Sequence, residues 1–332
     1  MQDSKKFIVI TSIFDPTPSV RAFSQRKDYT TVVVGDKKTN TDWHCDNVVF
    51  LSVEAQHEMD FSLKEMLPYD HYCRKMMGYL YSIAQGAGTI IDTDDDNMPE
   101  VNWDFPAPEG HFSGVPGDQG FVNIYRLYTH QPVWPRGLPL DRINKTQDLE
   151  QQLTTGDYKV GIWQGLANGD PDVDAIYRLT NDTPCYFTER PPVVLGKNTM
   201  SPFNSQNTRT RKELFPLLYL PAFVSIRFTD ILRGLVAQPI MWLYDYHLGF
   251  TNATVVQQRN PHDYFKDFID EIPMYRHAGE VIDIVKAAVS EKYTIGENLF
   301  LAYSALEKKD IVPDRELLTV KAWLKDLERM GN

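Results

Sequence analysis

Cysteine is scarce in this sequence: Cys45, Cys73 and Cys185 are the only three in 332 residues, and no two form a CxxC pair. That scarcity excludes a disulfide framework, and the spacing offers no zinc site. Long apolar runs are lacking as well. The run Phe7–Ile10 follows two lysines and is too short for a signal-peptide core, and the stretch 214–226 is short for a bilayer and broken by Pro216 and Pro221. The chain therefore reads as soluble and unexported, with no membrane span, and a cytoplasmic location is expected. Positive charge is also in deficit, 34 Lys and Arg against 45 Asp and Glu, for a formal net charge of -11. No molecule-wide field would attract nucleic acid or anionic lipid. Common cofactor and nucleophile signatures are missing too. Gly86 and Gly88 precede their strand instead of following one, and neither a GxxxxGK[ST] loop nor a GxSxG elbow occurs.

What is present is enough apolar content, 42%, for one large domain or two modest ones. Four β-branched runs come early, at 7–13, 30–35, 47–52 and 89–92, nearly continuous in the manner of parallel strands covered on both faces. Helical segments lie between them, at 19–27 and at 72–87, where Cys73, Met76, Met77, Leu80, Ile83, Ala84 and Ala87 share one face. The alternation predicts an α/β fold. Residues 104–120 read as a long Pro- and Gly-rich loop, the next two segments as β-like, and Gly169–Asp172 as a turn. From about Ala278 three amphipathic helices are predicted.

The run GTIIDTDDDNMPE, residues 88–100, crowds Asp92, Asp94, Asp95 and Asp96 onto the end of an apolar strand. In α/β sheets ligands bind at the carboxyl ends of strands. A solvated loop of capping aspartates is the plain reading, but mutual repulsion of neighbouring carboxylates calls for a compensating cation. An EF-hand loop starting at Asp92 fails, with Asn97 at the glycine position and Trp103 at the glutamate position. An Asp-x-Asp site of a nucleotide-sugar glycosyltransferase fits better, because a divalent ion stabilises the charge that develops on a diphosphate leaving group.

The segments LPYDHYCRKMMGYLYSIAQGAGTIIDTDDD, VWPRGLPL, QGLANGDPDVDAIY, SPFNSQNT and DILRGLVAQPIMW resemble successive motifs of the STELLO family of glycosyltransferase-like proteins, in order from about Val32 to Trp242. A more distant resemblance is to the reversibly glycosylated polypeptides that act as UDP-arabinose mutases. The resemblance implies a GT-A-like fold, a Rossmann-type nucleotide-binding sheet merged with an acceptor region. It divides the chain into residues 1–255, with a nucleotide-sugar half at 1–103 and an acceptor half at 104–255, and a C-terminal helical extension at 256–332. The plant members' N-terminal anchor and further C-terminal region have no counterpart in these 332 residues, so their Golgi setting is not carried over.

Roles follow as expectations. Asp94 and Asp96 are the metal and ribose pair, with Asp92 and Asp94 as the competing register and Asp95 facing a basic group. Mn2+ or Mg2+ and a UDP-sugar are the implied cofactor and donor, with a glycan hydroxyl as acceptor. Arg74 and Lys75 neutralise the diphosphate. Thr11, Ser12 and Ile13 meet the nucleobase, Arg21 reaches ribose or phosphate, and Gly35 with Asp36 receives the uracil imide N–H. Asp172 or Asp174 is the base of an inverting transfer; turn formation and helix capping explain both almost as well. Arg136 and Gly137 form a loop closing over the donor, while Trp134 and Trp163 either stack on a sugar or are core. His247 is a candidate third metal ligand, but a lone histidine beside aromatics reads more readily as core. A UDP-sugar mutase and a non-catalytic nucleotide-sugar or partner-binding module are the alternatives. A homo-oligomer, or peripheral attachment to a glycan-assembly complex, is open.

Overall fold

Apolar runs buried on both faces give the first half of the sheet. The computed structural model describes residues 5–145, 148–181, 183–257 and 263–331. Strands β1 (Lys5–Thr11), β2 (Tyr29–Val34), β3 (Val48–Leu51) and β4 (Ala87–Thr93) lie parallel in the order β3-β2-β1-β4. They match the four predicted runs to within one or two residues at most ends. Three helices connect them: α1 (Pro18–Ser24), capped by Thr17; α2 (Val53–Glu58), capped by Ser52; and α3 (Lys75–Ala84). Helix α3 packs so closely on the sheet that Gly78 meets the side chains of Val9 and Val34, where a Cβ would sit at 2.6 and 2.7 Å.

The second half of the sheet is mixed. It comprises β5 (Asn97–Pro99), β6 (Glu109–Val115), β8 (Thr154–Gly169), β9 (Val193–Leu195), β11 (Asn207–Arg211) and β12 (His247–Gln257), with β7 (Gly120–Phe121) and β10 (Thr199–Met200) forming a separate pair. Strand β11 joins the halves, antiparallel to both β4 and β8. The pairings β8–β6–β9–β12–β8 close on themselves. The α/β expectation holds.

Several local expectations do not. The 104–120 loop contains β6, because one of its glycines, Gly114, is needed where Tyr158 crosses the strand. The β-like segments after it are mostly irregular: one keeps only Phe121 in β7 and then holds a 3-10 turn at Ile124–Leu127, and the prolines of the other cannot donate to a ladder. A helix went unread at α6 (Thr229–Leu243), which is buried almost all round and so shows no apolar stripe.

Short helices α4 (Leu149–Gln152) and α5 (Ala175–Thr180) flank β8, and α7 (Tyr264–Ala288), α8 (Ile295–Glu307) and α9 (Asp314–Arg329) end the chain. Helix α7 starts well before the predicted Ala278, on the Asp263 cap, and runs through Pro273. One buried apolar cluster extends from β1 and α3 through α6 into α7, α8 and α9. Among the described residues, no helix is long and apolar enough to cross a membrane.

Candidate functional site

The carboxyl ends of β1, β2 and β4 open onto two adjoining cavities. The smaller, about 260 Å³, is lined by Thr11, Ser12, Ile13, Gly35, Asp36 and Arg74 among others, and the larger, about 600 Å³, by Asp94, Asp95, Asp96, Arg136 and Asp172 among others. Thr11, Tyr72, Asp95 and Ile226 border both. Most of the residues expected at the site are thus brought together. Arg21, Lys75, Asp92 and Asp174 line neither cavity.

Around the smaller cavity the polar groups are held in place by their neighbours. Gln56 of α2 donates to the carbonyls of Gly35 and Leu51 at 2.8 and 2.9 Å and accepts from Arg74 Nε at 2.9 Å. The Arg74 guanidinium also lies 4.4 Å from the Tyr69 ring centroid. Arg74 therefore belongs to the wall beside Asp36, not to the acidic cavity where a diphosphate ligand was expected. Asp36 accepts from Lys37 N at 2.7 Å and more weakly from His71 N at 3.4 Å.

Behind the larger cavity the charges alternate. Lys75 and Asp92 are fully buried 2.6 Å apart, and Lys75 reaches Asp94 at 3.1 Å. Asp92 also accepts from Arg233 of α6 at 2.8 Å and from the Tyr79 hydroxyl at 2.5 Å. Burial pulls the Lys75 ammonium down, but the carboxylates of Asp92 and Asp94 carry it above its ordinary range. This arrangement corrects two expectations: Lys75 neutralises aspartates from behind, and Asp92 is an internal counter-ion with no open face. Arg136 is pinned between Asp172 at 2.7 Å and both oxygens of Asp230 at 3.0 and 3.1 Å. It is a fixed part of the wall, not a closing loop. Asp172 accepts in addition from Asn204 at 2.9 Å, so each of its oxygens already has a donor. Its geometry suits holding Arg136 better than taking up a proton.

The open carboxylates are Asp94, Asp95 and Asp96. Asp94 keeps 30% of its side chain exposed, and burial of the rest pushes its carboxyl up to about 7, the pull of Lys75 notwithstanding, with Asp96 and Asp92 adding to the rise. Burial raises Asp95 as well, opposed by the Ser12 hydroxyl that donates to it; the Asp95 carbonyl takes a bond from Thr17 Oγ1 at 2.5 Å. Asp96 accepts from Gln257 at 2.9 Å through Oδ2, while Oδ1 is buried with no hydrogen-bond partner. Among the described residues, no three of His, Cys, Asp or Glu gather into a ready metal cage.

The remaining expected residues have structural tasks. Asp174 caps α5 by accepting from Tyr177 N at 3.0 Å and from Trp134 Nε1 at 2.7 Å. Trp163 is core, lying on Gly249, where a Cβ would fall 2.3 Å from the indole. His247 bonds the Leu195 carbonyl at 2.9 Å. Residues that sequence reasoning gave no role are Asn204, Gln206, Asp230, Arg233 and Gln257. Asp230 and Arg233 carried a usable signal, since two charges three apart in an otherwise apolar helix need buried partners.

Comparison with known proteins follows the same line. A family described as STELLO glycosyltransferases matches residues 227–332, from the start of α6 to the end of the chain. Two Arabidopsis thaliana proteins, probable glycosyltransferases STELLO1 and STELLO2, are 28% and 29% identical to it over 347 residues, covering 99% of this chain. The chain is similar to STELLO glycosyltransferases over nearly all of its length. It spans 45% of the length of each of these relatives. Among solved structures, a crystal structure of a mycobacterial protein aligns over 94% of this chain and 76% of the other with a TM-score of 0.39 and 10% identity, too distant to argue from.

Proposed function

We propose that this chain is a glycosyltransferase unit that binds a nucleoside diphosphate sugar across the two cavities, base in the smaller and diphosphate in the larger. The observation that carries this reading is the placement of Asp94, Asp95 and Asp96 in the larger cavity, on the carboxyl edge of the parallel strands, with Asp95 also bordering the smaller. In the smaller cavity a carboxylate acceptor, Asp36, stands beside a guanidinium donor, Arg74. Asp36 can accept the imide N–H of uracil, with the Arg74 charge, engaged by Gln56 and Leu67, behind it, so UDP is the expected nucleotide. Arg74 on the base side is poorly placed to act on a sugar ring, which favours transfer over the mutase alternative.

A divalent cation fits the acidic turn. Asp96 Oδ1 is a buried anionic oxygen without a donor, and Asp94 has an open oxygen; hard oxygen donors of this kind suit Mg2+ or Mn2+. Two carboxylates are an incomplete set, and diphosphate oxygens would complete it. Bound there, the cation would offset charge on the leaving diphosphate. Lys75 and Arg233 hold the aspartates in place from inside the fold. The acceptor, taken as a glycan hydroxyl, would approach over the Arg136–Asp172 wall.

Calorimetry of UDP with Mn2+, with Mg2+ and with EDTA, using ADP and GDP as controls, tests the reading. Uridine-selective, metal-dependent binding that is lost in Asp94→Ala and Asp96→Ala is the expected result. Absence of binding with every metal would sink it and leave a partner-binding module.

A further inference from the structure

One oxygen of Asp96 is already committed to a neighbour. Gln257, the last residue of β12, donates from Nε2 to Asp96 Oδ2 at 2.9 Å. Its amide cannot be turned over, because Oε1 accepts from the Gln206 side-chain amide and a carboxylate oxygen takes only a donor. The Gln206 backbone is itself fixed. Its carbonyl receives Thr93 Oγ1 and Asn97 Nδ2, each at 2.8 Å, from the two residues that bracket the acidic turn, and its N–H goes to Asn204 Oδ1 at 2.9 Å. Both glutamines are buried. What remains is Asp96 Oδ1, buried and without a hydrogen-bond partner.

We propose that Gln257, locked in orientation by Gln206, is a positioning residue that presents Asp96 Oδ1 alone to the divalent cation of the donor complex. By occupying Oδ2 it also restricts Asp96 to one-oxygen ligation. The inference rests on the donor-site reading above. Groups just outside a metal's ligand set characteristically fix ligand orientation in this way.

Gln257→Met removes the donor at nearly constant length, and Gln257→Asn withdraws it without placing an apolar group beside a carboxylate. Mn2+ affinity in saturating UDP, read from the electron paramagnetic resonance of free Mn2+, should fall about 10- to 100-fold in both. UDP affinity at saturating Mn2+ should stay within about twofold of the parent, because excess metal refills a weakened cation site. Unchanged Mn2+ affinity in both Gln257 variants would overturn the proposal. So would a parallel fall of UDP affinity at saturating Mn2+, which would make Gln257 a mere prop of the turn. If the unsubstituted protein binds no Mn2+ with UDP, the donor-site reading itself fails, before any variant is compared, and this inference with it.

Discussion

The carboxylates of the C-terminal helices and those of the acidic turn make an instructive pair. Glu271 on α7 and Glu316 and Asp326 on α9 are buried more deeply than Asp94, Asp95 or Asp96. Each nevertheless meets at least one backbone N–H of the sheet half, at a helix start or in a loop. Glu316 accepts from Ala222 and Phe223 at 2.8 Å, Asp326 from Ser62 and Leu63 at 2.8 Å, and Glu271 from Ala175 at 2.7 Å as well as from Arg227. Their lone pairs are satisfied, so they fasten helices to loops. The acidic turn has fewer donors than oxygens, and that shortfall, not burial or residue type, marks it as a place for a ligand.

The contrast can be broken at its strongest point by Lys75→Met, which strands Asp92 against a single remaining cation. Removing one partner of a buried pair costs about 3–5 kcal/mol, so urea unfolding should show a loss of that order, or no folded protein. Glu316→Ala is next. It leaves two buried N–H groups without an acceptor, at roughly 1–3 kcal/mol each at most, while UDP binding by the folded fraction stays at the parent value. Asp96→Asn should do the reverse: a change in unfolding free energy within about 0.5 kcal/mol, but metal-dependent UDP binding abolished by calorimetry. A fastening role for Asp96 would show as the opposite pattern.

The smallest effect concerns Asp174, whose carboxyl burial pushes up to about 6 against the bonds from Trp134 and Tyr177 N. A carboxyl raised in the folded chain stabilises only while protonated; that contribution is full below about pH 4 and is lost as pH climbs through about 6. Asn keeps the cap without the charge. Asp174→Asn should therefore match the parent near pH 4 and melt a few degrees higher at pH 7 in a thermal scan. A lower melting point at pH 7 would show the ionised form to be the better cap.

Strands β1 to β4 were legible because burial on both faces writes itself as an unbroken apolar run. The acidic turn was legible because carboxylates crowded at a strand end repel one another and call for a cation. Helix α6 was not, since a segment buried all round has no periodicity to detect. Lys75 was misplaced for a related reason: sequence shows that a lysine precedes a helix, but not that Asp92 and Asp94 close over it. Arg233 finds Asp92 across 141 positions, and no local pattern carries such a distance. Gln206 sat in a quoted motif without a role, because its task appears only when Thr93, Asn97 and Gln257 converge on it.

Asp95 borders both cavities, with its side chain bonded to Ser12 at the end of β1 and its carbonyl to Thr17 at the head of α1. A ligand that orders one wall thereby orders the other. Whatever factor a base in the smaller cavity would contribute to the affinity of the proposed cation, that cation must return to the base, because coupling between two equilibria is reciprocal. In the proposed donor complex, nucleotide and metal are then mutual effectors, each measured correctly only at a stated concentration of the other.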